Sequence, residues 1–513
     1  MIKCKNTIKS TNKVYLFNRW GDNRMVSITG FKRLNALKNK EMYGYMLAGT
    51  SLIIGTIFNQ LSFLFYFAIA FLGWKNHKKE LDEIQLYYFI MPYSIIIGFS
   101  VWNYGVAHFV AVVIGILIAI VFSKVMKGLI NYIDIKFGII FLLPITFFTL
   151  SYSFDKLPAL NVIEIPSILA PIYNHTPILR IASVIGVYLT IFTIVLLINS
   201  IIGLILDKSN TKIYKAIIAI IILLIISSNV LSTGDMLVIE ESKPINVAAI
   251  QGDVVSVEGR PLVLGERFDF DFNHYKNMLS NVEADIFVFP QVPLGIYDIE
   301  NRADHLYRQR LISLANEKNG ILVGLLIESS SIYGGKRHKF ISAYLVSPEG
   351  FIGKSSKRNL NFFTQSIIFS QSDNYSTVFS DYGELGVTIS DDIRDLNTVR
   401  LLKKNGAEVI LSTSNDDNFG VTFPANYNLF PVINAIQYNI PVVVANQDGT
   451  SMVVDKSGKI ISQLDVKEKG VLVNEVKVQK TISIYSLFGR YLELLLAIFI
   501  AVLVIKSIRR YYF

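Results

Sequence analysis

Apolar runs separated by short polar connections fill the first half of the chain. A helix that crosses a bilayer needs roughly 20 mostly apolar residues, and such runs in series are typical of a polytopic membrane protein. Seven runs precede residue 232 and an eighth closes the chain, so the pattern predicts a polytopic α-helical membrane domain of eight helices. Only Asn59 and Gln60 separate the first two runs, which favours a helical hairpin. The runs are residues 43–58, 61–74, 86–104, 106–125, 137–154, 181–206, 213–231 and 491–505.

Short β-rich runs alternate with helix-like stretches between about residues 246 and 479. This alternation is typical of an α/β domain, and turn signals at residues 348–350 and 456–458 predict hairpins. Helices are predicted over residues 275–282 and 399–405. The predicted strands are residues 246–251, 286–290, 321–327, 340–346, 386–390, 409–413, 441–445 and 451–454.

Composition and charge place this domain relative to the membrane. The chain is 52% hydrophobic and only 17% charged, and its net charge of +9 is concentrated in alternate connections. Cytoplasmic loops carry the positive excess, so both termini are predicted to be cytoplasmic and the α/β domain extracytoplasmic in a bacterial inner membrane. The predicted segments are a basic tail (1–42), a seven-helix membrane domain (43–231), the soluble domain (232–485) and a closing helix with a basic tail (486–513).

Few residues point to metal, redox or nucleic-acid chemistry. Cys4 is the only cysteine, so an intrachain disulfide and a thiolate metal site are excluded. His108 and His175 lie in or near apolar runs without a metal-ligand motif and are interpreted as structural. No cofactor is predicted, and the basic residues form a topology signal rather than a nucleic-acid patch.

Six short motifs in the α/β segment together resemble the nitrilase, or carbon–nitrogen hydrolase, superfamily. Their order and spacing carry the resemblance, and the surrounding membrane helices make the chain similar to the apolipoprotein N-acyltransferase family within it. The resemblance implies an αββα sandwich on the outer face of the membrane. The motifs are residues 247–251, 284–291 (ADIFVFPQ), 353–360 (GKSSKRNL), 386–393 (GVTISDDI), 406–420 (GAEVILSTSNDDNFG) and 445–449 (ANQDG).

The resemblance also implies a chemistry. In the family, a Glu acts as general base, a Cys attacks an ester carbonyl, and a Lys holds the oxyanion while an acyl chain passes from phospholipid to a lipoprotein. Here the corresponding positions hold Gln291, Lys357 and Ser390. Only the lysine matches the family. The resemblance implies phospholipid and lipoprotein as partners, and another membrane enzyme is a further candidate partner.

Supporting positions depart from the family as well. Gln365 and Asp392 stand where the family has Glu, and Asn415 begins an altered asparagine-rich stretch. The Arg-Ala-x-Glu helix motif reads Asn-Ala-Ile-Gln at residues 434–437. Drift at this many positions favours natural divergence over an engineered Cys-to-Ser and Glu-to-Gln pair.

Two hypotheses follow from these substitutions. A glutamine amide takes no proton at neutral pH, and a serine without a base is a poor nucleophile. The chain is therefore either a non-catalytic relative that binds lipid, lipoprotein or a partner enzyme, or an acyltransferase in which Ser390 uses Asp391 or Asp392 as its base. Each position also has a structural interpretation, with Ser390 ending a buried strand, Gln291 preserving the fold and Lys357 in an exposed turn. A transporter is less favoured, because the apolar runs hold few charges.

Overall fold

The computed structural model describes residues 40–100, 108–136, 138–156, 167–234, 237–240, 244–252, 264–291, 305–333, 336–360, 369–415 and 424–512. The predicted basic tail, except for its last three residues, lies outside the described residues. Gln365 and most of the asparagine-rich stretch after Asn415 also lie outside them.

Each of the eight apolar runs overlaps a helix, and the run of residues 181–206 overlaps two. Three segments of the described residues, 187–206, 211–233 and 485–502, are long and apolar enough to cross a membrane. A complete set of eight spans therefore stays a prediction. The helices are α1 (Lys40–Ile57), α2 (Leu64–His77), α3 (Glu83–Ser100), α4 (His108–Lys136), α5 (Ile139–Lys156), α6 (Thr176–Leu179), α7 (Ala182–Ile185), α8 (Val187–Leu206), α9 (Thr211–Thr233), α10 (Leu264–Met278), α11 (His305–Lys318), α12 (Leu396–Lys404), α13 (Pro424–Tyr438) and α14 (Arg490–Tyr512).

Local chemistry sets two of the helix boundaries. A 3₁₀ turn at Asn59–Leu61 joins α1 to α2, as the predicted hairpin requires. The predicted run of residues 181–206 is divided, because Gly186 adopts a φ of +83° and ends α7 before α8 begins. A side chain at Gly186 would meet the ring of Tyr485 and the carboxylate of Glu493, so the break holds the closing helix against α8.

Two six-stranded sheets form the α/β domain. Their strand orders are β12-β11-β10-β9-β8-β7 and β13-β2-β3-β4-β5-β6, and a small sheet pairs β1 with β14. All eight predicted strands exist, and so do both hairpins at residues 348–350 and 456–458. The strands are β1 (Val238–Glu240), β2 (Pro244–Gln251), β3 (Ile286–Val288), β4 (Ile321–Tyr333), β5 (Lys336–Ser347), β6 (Gly350–Ser356), β7 (Val378–Ser380), β8 (Gly383–Ile389), β9 (Val409–Ser414), β10 (Val442–Asn446), β11 (Ser451–Val454), β12 (Ile460–Leu464), β13 (Gly470–Lys477) and β14 (Lys480–Thr481).

Alternating side chains along the strands create the layers of the sandwich. Val247 and Val288 of one sheet meet Val387 and Leu411 of the other in a dry core between the sheets. The opposite face of the first sheet packs on α10 and α11, and that of the second packs on α12 and α13. These four layers form the αββα sandwich that the resemblance implied.

The outer helix layer of the second sheet also packs on the membrane half. Leu429 and Ile433 of α13 share one apolar core with Leu72 of α2 and Ile194 of α8. Arg180, between α6 and α7, donates to the carbonyl and hydroxyl oxygens of Ser457 in the β11–β12 turn. The strand ends next to α13 therefore lie beside the membrane helices.

Candidate functional site

Ser390 occupies a strained backbone position at the carboxyl end of β8. Its φ is +51°, and it opens the 3₁₀ turn Ser390–Ile393. This left-handed conformation is uncommon for serine and is found where the surrounding structure enforces it, often in active sites. The side chain is only 5% exposed. The position thus has the sharp turn after a strand that presents a nucleophile, and it holds a serine where the family resemblance implies a cysteine.

Lys357 is completely buried directly after β6. Its Nζ lies 3.3 Å from Oδ2 of Asp391, whose Oδ1 lies 3.5 Å from Nη1 of Arg394. The interpretation of Lys357 as an exposed turn lysine is therefore wrong. Burial raises the pKa of Asp391, but the Lys357 ammonium and the Arg394 guanidinium outweigh burial and hold this pKa below its usual range.

Asp392 anchors the segment that carries the lysine. It is fully buried, and its Oδ1 accepts from the backbone N–H groups of Arg358 (3.0 Å) and Asn359 (2.7 Å). Nη1 of the buried Arg358 lies 3.6 Å from Oδ2 of Asp392. Burial raises the pKa of Asp392 to about 6, although the Arg358 guanidinium, the Lys357 ammonium and the two backbone N–H groups favour the ionised form. Its bonds tie the Lys357 segment to the end of β8.

Gln291 follows β3 and reaches the same region. Its backbone N–H donates to the carbonyl oxygen of Ser414, and its side chain is 7% exposed. Among the described residues, none donates a hydrogen bond to its Oε1 atom. An unsatisfied buried amide oxygen is costly and marks a place where water or a ligand group would bind. Asn415, next to Ser414, is partly buried at the end of β9.

A small pocket lies at the junction with α13, and Ser390 is the one predicted position among its lining residues. Ser390, Ser414, Asn428 and Asn446 line it, and its volume of about 20 Å³ is room for about one water molecule. The structure thus brings Gln291, Lys357, Ser390, Asp391, Asp392 and Asn415 to neighbouring strand ends, while Gln365 lies outside the described residues.

The partners of the Ser390 hydroxyl decide whether this serine can act as a nucleophile. Within the part of the chain that the structure describes, no carboxylate or imidazole is hydrogen-bonded to its hydroxyl. Asp391 is committed to Lys357 and Arg394, and Asp392 to the backbone of residues 358–359. In the described residues, no group of three or more His, Cys, Asp or Glu side chains could hold a metal ion.

Arg394 and Arg358 are site residues that the sequence reasoning missed. Arg394 pairs with Asp391 and lies over the ring of Tyr427 on α13, 5.2 Å from its centroid. The spacing of Asp391 and Arg394, three residues apart, was the available signal. No sequence signal marked Arg358 as buried, because a second basic residue beside a lysine usually indicates solvent exposure.

Comparison with known proteins shows what the chain is similar to. The Carbon-nitrogen hydrolase family model matches residues 248–485, so this part of the chain is similar to carbon–nitrogen hydrolases. Over 345 residues the chain is 24% identical to an apolipoprotein N-acyltransferase of Geobacter metallireducens. The match covers 62% of this chain and 64% of that protein, so the chain matches less than two thirds of this relative's length. The predicted resemblance is confirmed.

Further matches cover smaller parts of this chain. A probable nitrilase of Schizosaccharomyces pombe is 25% identical over 140 residues, which cover 26% of this chain and 50% of that protein. A nitrilase-superfamily structure from Saccharomyces cerevisiae is 22% identical, with a TM-score of 0.38, and covers 46% of this chain and 91% of its own. A carbon–nitrogen hydrolase structure from Helicobacter pylori is 15% identical, with a TM-score of 0.37, and covers 46% and 89%.

Proposed function

We propose that this protein is a divergent membrane-bound relative of the apolipoprotein N-acyltransferases that has lost the Glu-Lys-Cys reaction. In this proposal it binds phospholipid, lipoprotein or a partner enzyme at the outer face of a bacterial inner membrane. Its termini lie in the cytoplasm and the domain of residues 232–485 lies outside. The similarity to the Geobacter protein and the three long apolar helices support the membrane and lipid setting.

One observation supports the proposed loss of the Glu-Lys-Cys reaction. Two carboxylates follow Ser390 in sequence. Asp391 is paired with Lys357 and Arg394, and Asp392 accepts from the backbone N–H groups of residues 358–359. Gln291 stands in place of the base. A serine hydroxyl needs a nearby base to attack an ester, because the free alkoxide is scarce at neutral pH. An oxyanion at this site would also compete with Asp391 for the Lys357 ammonium. The arrangement therefore supports binding rather than acyl transfer.

A second candidate function is acyl transfer through Ser390. The left-handed backbone at Ser390 favours it, since such strain is retained where function or dense packing requires it. In this alternative, Ser390 takes an acyl chain from phospholipid and passes it to a lipoprotein or another acceptor.

Mass spectrometry of the detergent-solubilised protein separates the two functions. The protein is incubated with phospholipid that carries a labelled acyl chain, and adducts are mapped to peptides. Wild type is compared with Ser390→Ala and with Ser390→Cys/Gln291→Glu. We expect no adduct on Ser390 of the wild type and an adduct on residue 390 of the double variant. An acyl group on wild-type Ser390 would establish the transferase and overturn the binding proposal.

A further inference from the structure

A second serine, far from Ser390 in sequence, does have a base. Ser62 lies between the 3₁₀ turn and α2, and its Oγ is 3.2 Å from Nε2 of His175, which precedes α6. Nδ1 of the same imidazole is 2.8 Å from the hydroxyl of Tyr66 on α2. The Tyr66 and His175 rings also stack, with 5.7 Å between centroids and 13° between planes.

These contacts fit the order of nucleophile, base and orienting group. When the Tyr66 hydroxyl accepts the Nδ1–H proton, Nε2 is unprotonated and accepts the Ser62 hydroxyl proton. The stack and the hydrogen bond together fix the orientation of the ring. Burial lowers the pKa of His175, so the imidazole is neutral and able to take a proton at pH 7. The same geometric pattern activates nucleophilic serines in unrelated folds.

A helix terminus adjoins the serine. Helix α2 has 14 residues and begins two positions after Ser62, and the side chain of its N-cap, Phe63, makes no capping hydrogen bond. The backbone N–H groups of Phe65 and Tyr66 in this first turn donate to the carbonyl oxygens of Ser62 and Phe63, so they are not free to bind an oxyanion. The helix dipole still favours negative charge near this end of α2.

An apolar pocket of about 300 Å³ adjoins this cluster. Tyr66 and Ala70 of α2, Ile178 of α6, Leu197 of α8 and Ile221 of α9 are among its lining residues. Tyr66 belongs to both the pocket and the cluster, and Ile178 is three residues from His175. Helices α8 and α9 are candidate membrane spans, so the pocket has the lining and the location to receive a lipid acyl chain.

We propose that Ser62 and His175 form a serine esterase or acyl-transfer site, with Tyr66 as a positioning residue and a long-chain acyl ester as the substrate class. Ser62 Oγ bonds to the ester carbonyl carbon while His175 Nε2 takes the hydroxyl proton. The carbon–oxygen bond to the leaving alcohol then breaks, and His175 returns the proton to that oxygen. Water or an acceptor hydroxyl then releases the acyl group from Ser62 by the same steps.

The test uses a long-chain alkyl fluorophosphonate, which phosphonylates serines that have a base, on the full chain in detergent. We expect one adduct, mapped to Ser62, that is lost in Ser62→Ala and retained in Ser390→Ala. Ser51→Ala is the matched control, because Ser51 is equally buried in α1 but its hydroxyl donates to the carbonyl oxygen of Leu47. The absence of an adduct on wild-type Ser62 would overturn the proposal without any variant, whereas an adduct on wild-type Ser390 would overturn the proposed loss of chemistry at the nitrilase site instead.

Chain length provides a second readout. p-Nitrophenyl esters with short and long acyl chains are compared, and the pocket predicts faster turnover of the long chain. Ala70→Phe fills the pocket and should slow turnover of the long-chain ester more than turnover of the short-chain ester. Equal turnover of both chain lengths by the wild type would contradict the assignment of the pocket. Because Ser390 is absent from this scheme, the result is independent of the proposed loss of chemistry at the nitrilase site.

Discussion

Ser390 and Ser62 are equally buried hydroxyls with opposite surroundings. Ser390 is 5% exposed, has a left-handed backbone and lies near a buried ammonium, but no carboxylate or imidazole of the described residues is hydrogen-bonded to its hydroxyl. Ser62 is 6% exposed, has an ordinary helical backbone (φ −55°, ψ −27°), and its hydroxyl is hydrogen-bonded to an imidazole. The backbone geometry of a nucleophile and its acid–base chemistry are therefore separable. The first depends on many packed neighbours, whereas the second depends on one or two side chains.

The largest expected effect concerns the base at Ser62. His175→Asn keeps a polar side chain but removes the proton acceptor, and a positioned base contributes about 10²–10⁴-fold to rate. We expect fluorophosphonate labelling of Ser62 to slow by roughly this factor. The rate is measured by intact mass against time. His77→Asn is the control, because His77 contacts the backbone carbonyl of Asn199 rather than a serine. An unchanged rate in His175→Asn would remove the distinction between the two serines.

The next effect tests whether the acid beside Ser390 is structural. Asp392→Ala leaves the buried Arg358 without its carboxylate, and breaking such a pair costs about 3–5 kcal/mol. We expect a lower midpoint in thermal unfolding of the detergent-solubilised protein. Asp269→Ala breaks an exposed pair with Arg310 and should cost about 1 kcal/mol or less. Equal midpoints for the two variants would show that Asp392 is available for another role.

A smaller effect concerns the lysine that the nitrilase site retains. In the Ser390→Cys/Gln291→Glu variant, Asp391 still competes with the oxyanion for the Lys357 ammonium. Adding Asp391→Asn should raise the rate of acylation by roughly tenfold, part of the 10²–10³ that an oxyanion donor contributes. Arg394→Gln in the same background is the opposite control, since Asp391 then has only Lys357 as its cation. A rate that falls with Asp391→Asn would mean that Asp391 positions the lysine.

Much of the fold was predictable because its signals are repetitive. Hydrophobic runs located helices in both the first half and the end of the chain, three of them long and apolar enough to cross a membrane, and β-rich runs located the buried central strands. The predictions missed strands such as β6 and β13, whose apolar alternation is interrupted by the buried Ser355 and the half-buried Asn474. They also missed the break at Gly186, which depends on the distant Tyr485 and Glu493.

The candidate sites were predictable only where a family motif marked them. Gln291, Lys357 and Ser390 could be placed by motif order, but the burial of Lys357 and the pairing of Asp391 depend on tertiary contacts. Ser62 and His175 are 113 positions apart, and no local spacing relates them. The sequence-based interpretation of His175 as structural could not take this contact into account, because the contact forms only in the folded chain.

The smallest expected effect separates orientation from packing at Ser62. Tyr66→Phe keeps the stacked ring and removes one neutral hydrogen bond of about 0.5–1.5 kcal/mol, so labelling should slow by about tenfold or less. In the wild type, labelling is slow when His175 is protonated and rises with pH through a midpoint below the usual value of about 6.5, because burial lowers this pKa. A hydroxyl that accepts the Nδ1–H proton stabilises the imidazolium, so its removal should move the midpoint to still lower pH. Loss of folded protein alone would reduce the amount labelled and leave the midpoint unchanged, and that result would assign Tyr66 to packing alone.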